Sequence, residues 1–293
     1  MLIARRSVLK WGLPAVFWTQ GCGRVLAGRN ETFDSAGVRL HYVDGGSGDP
    51  VILVHGYTMD TEREFGRTGV LDALSAHYRT FGLDERGHGA SEKPHDPAAY
   101  GPTMGDDIVS LMDHLALPRA HVVGYSMGAH VVAQLLTRRP ERFLSATLGG
   151  SPGRYSWTEN DQHRVEVEAN EMDAGSVRSQ ILRLWPRDIP PPGEDELRRR
   201  SDAQLAGQDP KALAAVRRSN RDQTVTFAQM AAVQVPTLGI VGSLDPYREG
   251  FVRLKAAKPQ LDLVVVEGAT HGSLPGRSEF VKSILAFLDA HPA

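Results

Sequence analysis

In the stretch VVGYSMGAHVVAQLL, Val122 to Leu136, one serine stands between two glycines where an apolar run gives way to a helix-like one. A serine hydroxyl is a weak nucleophile near neutral pH; it needs a base, and the base needs a carboxylate to orient it. The chain offers both. Asp245 follows the apolar run LGIVGSL and His271 follows LVVVEGAT, so nucleophile, acid and base come in the order Ser126, Asp245, His271. The letters GYSMG carry little weight alone, because at average glycine usage such a match arises by chance in roughly one chain of this length in ten. Their setting carries more. A strand that ends in Gly-x-Ser and turns sharply into a helix exposes the serine and leaves no room for side chains at Gly124 and Gly128. The helix beyond presents unpaired N–H groups and roughly half a positive charge, which favours a developing oxyanion.

The elements that must position these residues are legible from Thr32 onward. VRLHYVDGG, Val38 to Gly46, alternates and ends in a glycine turn, which predicts one strand of an antiparallel opening pair with the run near Phe33. PVILVHG, YRTFGLD, AHVVGYS, LSATLGG, PTLGIVGSLD and LDLVVVEGATH are continuous apolar runs. Strands buried on both faces read this way. Helical patterns lie between them, after Val70, from Met104, from Ala129 and from Ser278. The alternation predicts a mostly parallel sheet with helices on both faces, whose ligands sit at the carboxyl ends of the strands. Ser126, Asp245 and His271 would all emerge at that edge.

One segment breaks the alternation. From Pro152 to Met230 there are 12 Lys or Arg and 13 Asp or Glu, several helical patterns, the breaker IPPPG and no convincing buried strand. It is expected to be a helical insertion that lies over the carboxyl edge as a lid.

Taken together, HGYTMD after a strand, DERGHGAS (Asp84 to Ser91), GYSMGA, GSLDPY and GATHG resemble, in this order, the landmarks of the α/β-hydrolase superfamily. The resemblance runs from about Phe33 to the C-terminus and is interrupted by the insertion. It implies a mostly parallel eight-stranded sheet flanked by helices, with residues 28–151 and 231–293 forming the core and 152–230 a helical cap. It also implies roles: Ser126 attacks a carbonyl, His271 takes and returns the proton, and Asp245 holds the imidazole. Backbone N–H groups of Tyr57 and Met127 would form the oxyanion hole. Tyr155, Trp157, Leu182, Trp185 and Phe227 are the candidates for the acyl pocket. His55 is expected to fix loop shape, and Arg86 and His88 to shape a turn beside the site, with Asp84 paired internally.

Serine at this position favours acyl transfer over the epoxide or halide chemistry of relatives that carry aspartate there. A carboxylic ester of small or medium size is the expected substrate. An aminopeptidase, a lactonase, a perhydrolase and a carbon–carbon hydrolase are the alternatives, and a ligand-binding module without turnover is a further one. The peptidase would want a fixed acidic cluster for a substrate amine, which Glu166, Glu168 and Glu171 could supply; the carbon–carbon hydrolase would want a buried arginine, and no pattern in the insertion picks one out.

A formal charge of −2, with no basic block, gives no reason to expect nucleic acid or an anionic membrane as partner. A small-molecule substrate and a monomer or homodimer are expected instead. Histidine spacing shows no HExxH or similar metal pattern, and no glycine-rich phosphate loop opens a βαβ unit, so neither metal nor cofactor is expected. At the N-terminus, Arg5 and Arg6, a short apolar run from Trp11 to Trp18, and Val25 and Ala27 resemble a twin-arginine export signal. Cleavage after Ala27 would remove residues 1–27 with four positive charges and no acid, taking the formal charge from −2 to −6. A lipid-anchored start at Cys22, the only cysteine, and a cytoplasmic chain are the alternatives. The apolar run is too short for a bilayer span, which needs about 20 residues.

Overall fold

The computed structural model describes residues 28–293. The strands are β1 (Arg29–Ser35), β2 (Val38–Gly46), β3 (Pro50–Val54), β4 (Arg79–Asp84), β5 (Ala120–Tyr125), β6 (Phe143–Gly149), β7 (Thr237–Gly242) and β8 (Asp262–Val266). They form one eight-stranded sheet in the order β1-β2-β4-β3-β5-β6-β7-β8. Only the β1–β2 and β2–β4 pairs are antiparallel; β3 onward run parallel. A two-residue turn, Ala36 and Gly37, joins β1 to β2 with both residues at positive φ, 52° and 81°, the conformation whose twist suits a hairpin.

Helices cover both faces because the central strands are apolar on both. Ile52 and Val54 of β3 join Val122 and the core beneath α2 (Pro102–His114) and α3 (Met127–Arg138), while Val51 and Leu53 join Val123 and the core beneath α1 (Val70–Ser75) and α10 (Ser278–Asp289). The expectation of burial on both faces fails for β8. That strand closes the sheet with a single ladder to β7, so Leu263 and Val264 are only partly buried and Val265 is exposed. An apolar run does not reveal whether its strand is central or at an edge.

Between β6 and β7 lie α4 (Glu159–Asp173), α5 (Arg178–Leu184), α6 (Glu194–Leu205), α7 (Pro210–Arg218) and α8 (Phe227–Ala232); α9 (Arg248–Ala257) follows β7. Local chemistry sets the ends of these helices. Thr158 and Asp161 form a reciprocal capping box at the start of α4, Asp209 accepts the N–H groups of Lys211 and Ala212 at the start of α7, and Pro186 holds the Trp185 cap extended and ends α5. The helices share their own apolar cluster, among them Met172, Val177, Ile181 and Leu213. No helix of the described residues is long and apolar enough to cross a membrane. Arg5, Arg6, the Trp11–Trp18 run, Cys22 and Ala27 lie outside the described residues.

Candidate active site

Ser126 occupies the turn between β5 and α3 with φ 51° and ψ −106°, a conformation that costs a non-glycine residue about 1–3 kcal/mol and needs the surroundings to impose it. They do. The Ser126 N–H donates to the Gly149 carbonyl on β6 (2.8 Å) and the Gly128 N–H to the His55 carbonyl after β3 (3.1 Å), so the turn is tied to both neighbouring strands. The glycines are required by crowding: a Cβ at Gly128 would lie 2.1 Å from the Val54 carbonyl oxygen, and one at Gly124 would lie 2.5 Å from the Gly128 oxygen.

Three strand ends bring the chemistry together. His271 Nε2 is 2.9 Å from Ser126 Oγ, and His271 Nδ1 is 2.8 Å from Asp245 Oδ2. A carboxylate can only accept, so Nδ1 carries the proton and Nε2 presents its lone pair to the serine. Asp245 is itself held, taking the Tyr247 N–H on its other oxygen at 2.9 Å, and the Tyr125 hydroxyl donates to the His271 carbonyl. Asp245 and His271 are buried.

Tyr57 and Met127 line the cavity above Ser126, and their amides find no acceptor among the described residues. Met127 opens α3, where a free N–H is expected. Tyr57 stands in a turn closed by Met59 N–H to Gly56 carbonyl (3.2 Å), with the β-branched Thr58 forced to φ 64°. The preceding amide, Gly56, donates to the buried carboxyl of Glu64 at 3.1 Å. Burial pushes the Glu64 carboxyl up to about 7, against the downward pull of that hydrogen bond and of His271.

A cavity of about 640 Å³ opens over these groups, bounded on one side by the strand ends and on the other by α5, α6, α7 and the segment after β6. Its cationic side is built on one acid: the buried Glu168 of α4 accepts from Arg183 (2.7 Å) and is ion-paired with Arg217 (2.7 Å). Arg183 also reaches the Tyr247 hydroxyl at 2.7 Å, and the Arg217 guanidinium stacks 4.5 Å from the Tyr57 ring. His130, one turn into α3, is buried beside these arginines, and burial and their charge hold it neutral, well below its usual range.

The profile of the family described as "alpha/beta hydrolase fold" matches residues 49–174. A thermophilic esterase from Thermogutta terrifontis superposes with a TM-score of 0.75 at 22% identity over 90% of this chain and 100% of that one. The chain has the α/β-hydrolase fold. Among curated sequences it is similar to 3-oxoadipate enol-lactonase 1 of Acinetobacter baylyi, at 32% identity over 59% of this chain and 64% of that protein. It is also similar to the dihydrolipoyllysine-residue acetyltransferase component of the acetoin cleaving system of Cupriavidus necator, at 33% identity over 51% and 42%. The match thus spans less than two thirds of either relative.

Within this α/β-hydrolase fold, Ser126, Asp245, His271, Tyr57 and Met127 converge, whereas four of the five expected pocket residues do not. Trp185 lines the cavity. Tyr155 and Phe227 are stacked on each other, centroids 4.2 Å apart, and packed on the core below. Leu182 points into the insertion's own apolar cluster, and Trp157 lies outside the lining, its indole N–H given to Gln162 at 3.2 Å. Large apolar residues serve helix packing first, and composition cannot separate the two uses.

The three glutamates of α4 are all engaged: Glu168 by the two arginines, Glu166 by Gln162 and Arg218, and Glu171 by the Ser179 N–H and hydroxyl. His55, fully buried, accepts the Glu85 N–H on Nε2 (3.0 Å) and donates from Nδ1 to the Gly56 carbonyl (2.7 Å). Arg86 forms a two-pronged pair with Asp107 (2.6 and 2.7 Å), His88 Nδ1 turns back on the Arg86 carbonyl, and Asp84 binds His41 and the N–H groups of Thr61 and Ala90. These contacts hold Asp84 well below the usual carboxylate range despite its burial. Sequence reasoning missed Glu64, His130 and Tyr247; nothing in their spacing marks them. Among the described residues no group of three or more His, Cys, Asp or Glu is arranged to hold a metal.

Proposed function

We propose that the protein is a serine hydrolase that cleaves a carboxylic ester of small or medium size through an acyl-enzyme. The observation that carries this is the unbroken relay from Ser126 Oγ through His271 to Asp245, at 2.9 and 2.8 Å, beside two amides without acceptors among the described residues. In this reading His271 takes the hydroxyl proton as Ser126 attacks the carbonyl, and the Tyr57 and Met127 amides receive the oxyanion. His271 then gives the proton to the leaving alcohol, and a water activated by the same imidazole releases the acid. A lactone is an internal ester and needs no new group; the similarity to an enol-lactonase supports it as a second reading. The aminopeptidase reading loses its support, since Glu166, Glu168 and Glu171 are committed to partners.

Purified protein is expected to hydrolyse short p-nitrophenyl esters, and Ser126→Ala to lose activity by about a millionfold, as nucleophile removal does in a serine protease. Equal turnover by wild type and variant would overturn the assignment. A wild type inert both to esters and to serine-directed phosphonates would favour a binding module on this scaffold. We further propose that residues 1–27 direct export. Secreted material should begin at Gly28; a lipid-modified Cys22 start would overturn the cleavage site.

A further inference from the structure

Six arginines line the cavity, and five of them have a carboxylate partner: Arg63 with Asp60, Arg67 with Glu62, Arg200 with Glu196, and Arg183 and Arg217 with Glu168. Arg154 has none among the described residues, and residues 1–27 contain no Asp or Glu that could supply one. Its Nε is wholly enclosed and makes no hydrogen bond. Its guanidinium carbon lies 5.4 Å from the face of Trp157, which provides no acceptor for the N–H groups.

The isolation is built in. Gly153, at φ 113°, sets the bend before Arg154, and the Arg154 carbonyl takes the Val225 N–H at 2.8 Å, so the segment is pinned on the approach to α8. Withdrawal from water brings the guanidinium down to about 10, with Tyr247 opposing the shift and the charges of Arg217 and Arg183 adding to it. It is still a cation at neutral pH. Arg154 is half-buried with only its Nε enclosed, and a charge partly withdrawn from water without an acidic partner is costly; the Tyr247 side offsets part of this, but no carboxylate among the described residues does. A planar guanidinium with free donors facing a cavity matches a carboxylate, which it can bind through two parallel hydrogen bonds.

We propose that Arg154 is an anion subsite and that the substrate ester carries a free carboxylate seated on it. The substrate class is then a monoester of a short dicarboxylic acid, or an ester of a short hydroxy acid. This rests on the serine-hydrolase reading for the reaction, but the subsite itself can be read by binding alone.

The test pairs each anionic ester with its neutral amide of the same shape: monomethyl glutarate with methyl 4-carbamoylbutanoate for the acyl side, and 4-acetoxybutanoate with 4-acetoxybutanamide for the alcohol side. Wild type is expected to favour the anionic member of one pair by at least roughly tenfold in kcat/KM, the scale of one hydrogen bond to a charged group. Arg154→Gln should bring that ratio close to one, chiefly through KM, and Arg154→Lys should restore part of it. Independently, glutarate should raise the melting temperature of Ser126→Ala and not of Ser126→Ala combined with Arg154→Gln.

A wild type indifferent to charge in both pairs, or a ratio unmoved in Arg154→Gln, overturns the subsite while leaving ester hydrolysis standing. If neither pair is hydrolysed and no phosphonate labels Ser126, the hydrolase reading fails, and glutarate protection alone then decides the subsite. Should Arg154→Gln fail to fold, the wild-type ratio, the Lys variant and glutarate binding to Ser126→Ala decide it.

Discussion

The two walls of the cavity are held by different physics. At the sheet edge, Ser126, Asp245 and His271 are positioned by main-chain contacts: the serine turn is tied to β3 and β6, Asp245 takes the Tyr247 amide, and His271 is fixed through its carbonyl. Across from them, the insertion shares a cluster of seven buried apolar residues and relies on side-chain ion pairs that cross helices, Glu168 of α4 holding Arg183 of α5 and Arg217 of α7. Main-chain ties survive changes of side chain, whereas ion pairs do not. On the serine-hydrolase reading, the geometry of the relay is therefore a property of the fold, and the choice of substrate would rest on a few charges that can be rewritten singly.

The comparison breaks most sharply at the sheet edge. Asp245→Asn leaves the shape of the relay but offers His271 Nδ1 an amide in place of a carboxylate, which loses the tautomer preference and the stabilisation of the imidazolium. The same change in a serine protease lowers kcat about 10⁴-fold. Here a comparable loss in ester kcat is expected with the melting temperature little changed, because Asp245 Oδ1 still accepts the Tyr247 amide. A loss of less than tenfold would mean that Asp245 does not orient the base.

Glu168→Gln makes the complementary break. Removing one partner of a buried ion network costs about 3–5 kcal/mol because charges are left unpaired, and here two guanidinium groups lose the one carboxylate that balances them. Hydrogen exchange should show α4, α5 and α7 losing protection while β3, β5 and β6 keep theirs. Uniform loss across the chain would mean that the two walls unfold as one unit.

How much of this could be read from residue order follows the same division. The strand–turn–helix around Ser126, and Asp245 and His271 at later strand ends, are local patterns of periodicity and glycine placement, and the sequence carries them openly. Glu168 is not local in this sense: its role depends on Arg183 and Arg217, fifteen and forty-nine positions away, meeting it in three dimensions. A charge-rich helix reads as a solvated face, and nothing in EVEANEM distinguishes the buried Glu168 from Glu166, two residues before it. The fate of Tyr155 and Phe227 was hidden for the same reason, since stacking on each other depends on how α8 docks. Arg154 was equally hidden among the insertion's many arginines, because its lack of a carboxylate partner among the described residues is a property of the packed structure.

Glu64 sits on the boundary between the two regimes, a side chain that holds a main-chain loop. Its carboxyl ionises near 4.5 in an unfolded chain and at about 7 in the folded one. Between those values the folded state keeps a proton the unfolded state has lost, so this group's contribution is full below pH 4.5 and disappears as pH rises through 7, a change of roughly 3 kcal/mol. Denaturant midpoints of wild type and Glu64→Gln, followed from pH 4.5 to 8, should therefore diverge in this direction, wild type losing ground as pH rises. Parallel curves would show that the Glu64 carboxyl is not held in its neutral form.

Trp185 gives the smallest expected effect and the finest test of the insertion's wall. Its indole N–H reaches the Ile189 and Pro190 carbonyls at 3.1 and 3.0 Å, Arg200 stacks on its ring at 5.3 Å, and the ring itself faces the cavity. Trp185→Ala removes an apolar face from the substrate space without touching Ser126, Arg154 or the ion network on Glu168. If a substrate chain covers about 40 Å² of that face, the loss is about 1 kcal/mol at roughly 25 cal/mol per Å². A rise of about fivefold in KM is then expected for butyrate and longer esters, with a smaller change for acetate, whose acyl chain is too short to cover the ring. An equal change for every chain length would place the acyl group elsewhere in the cavity and leave Trp185 as a clamp on the Ile189–Pro190 turn.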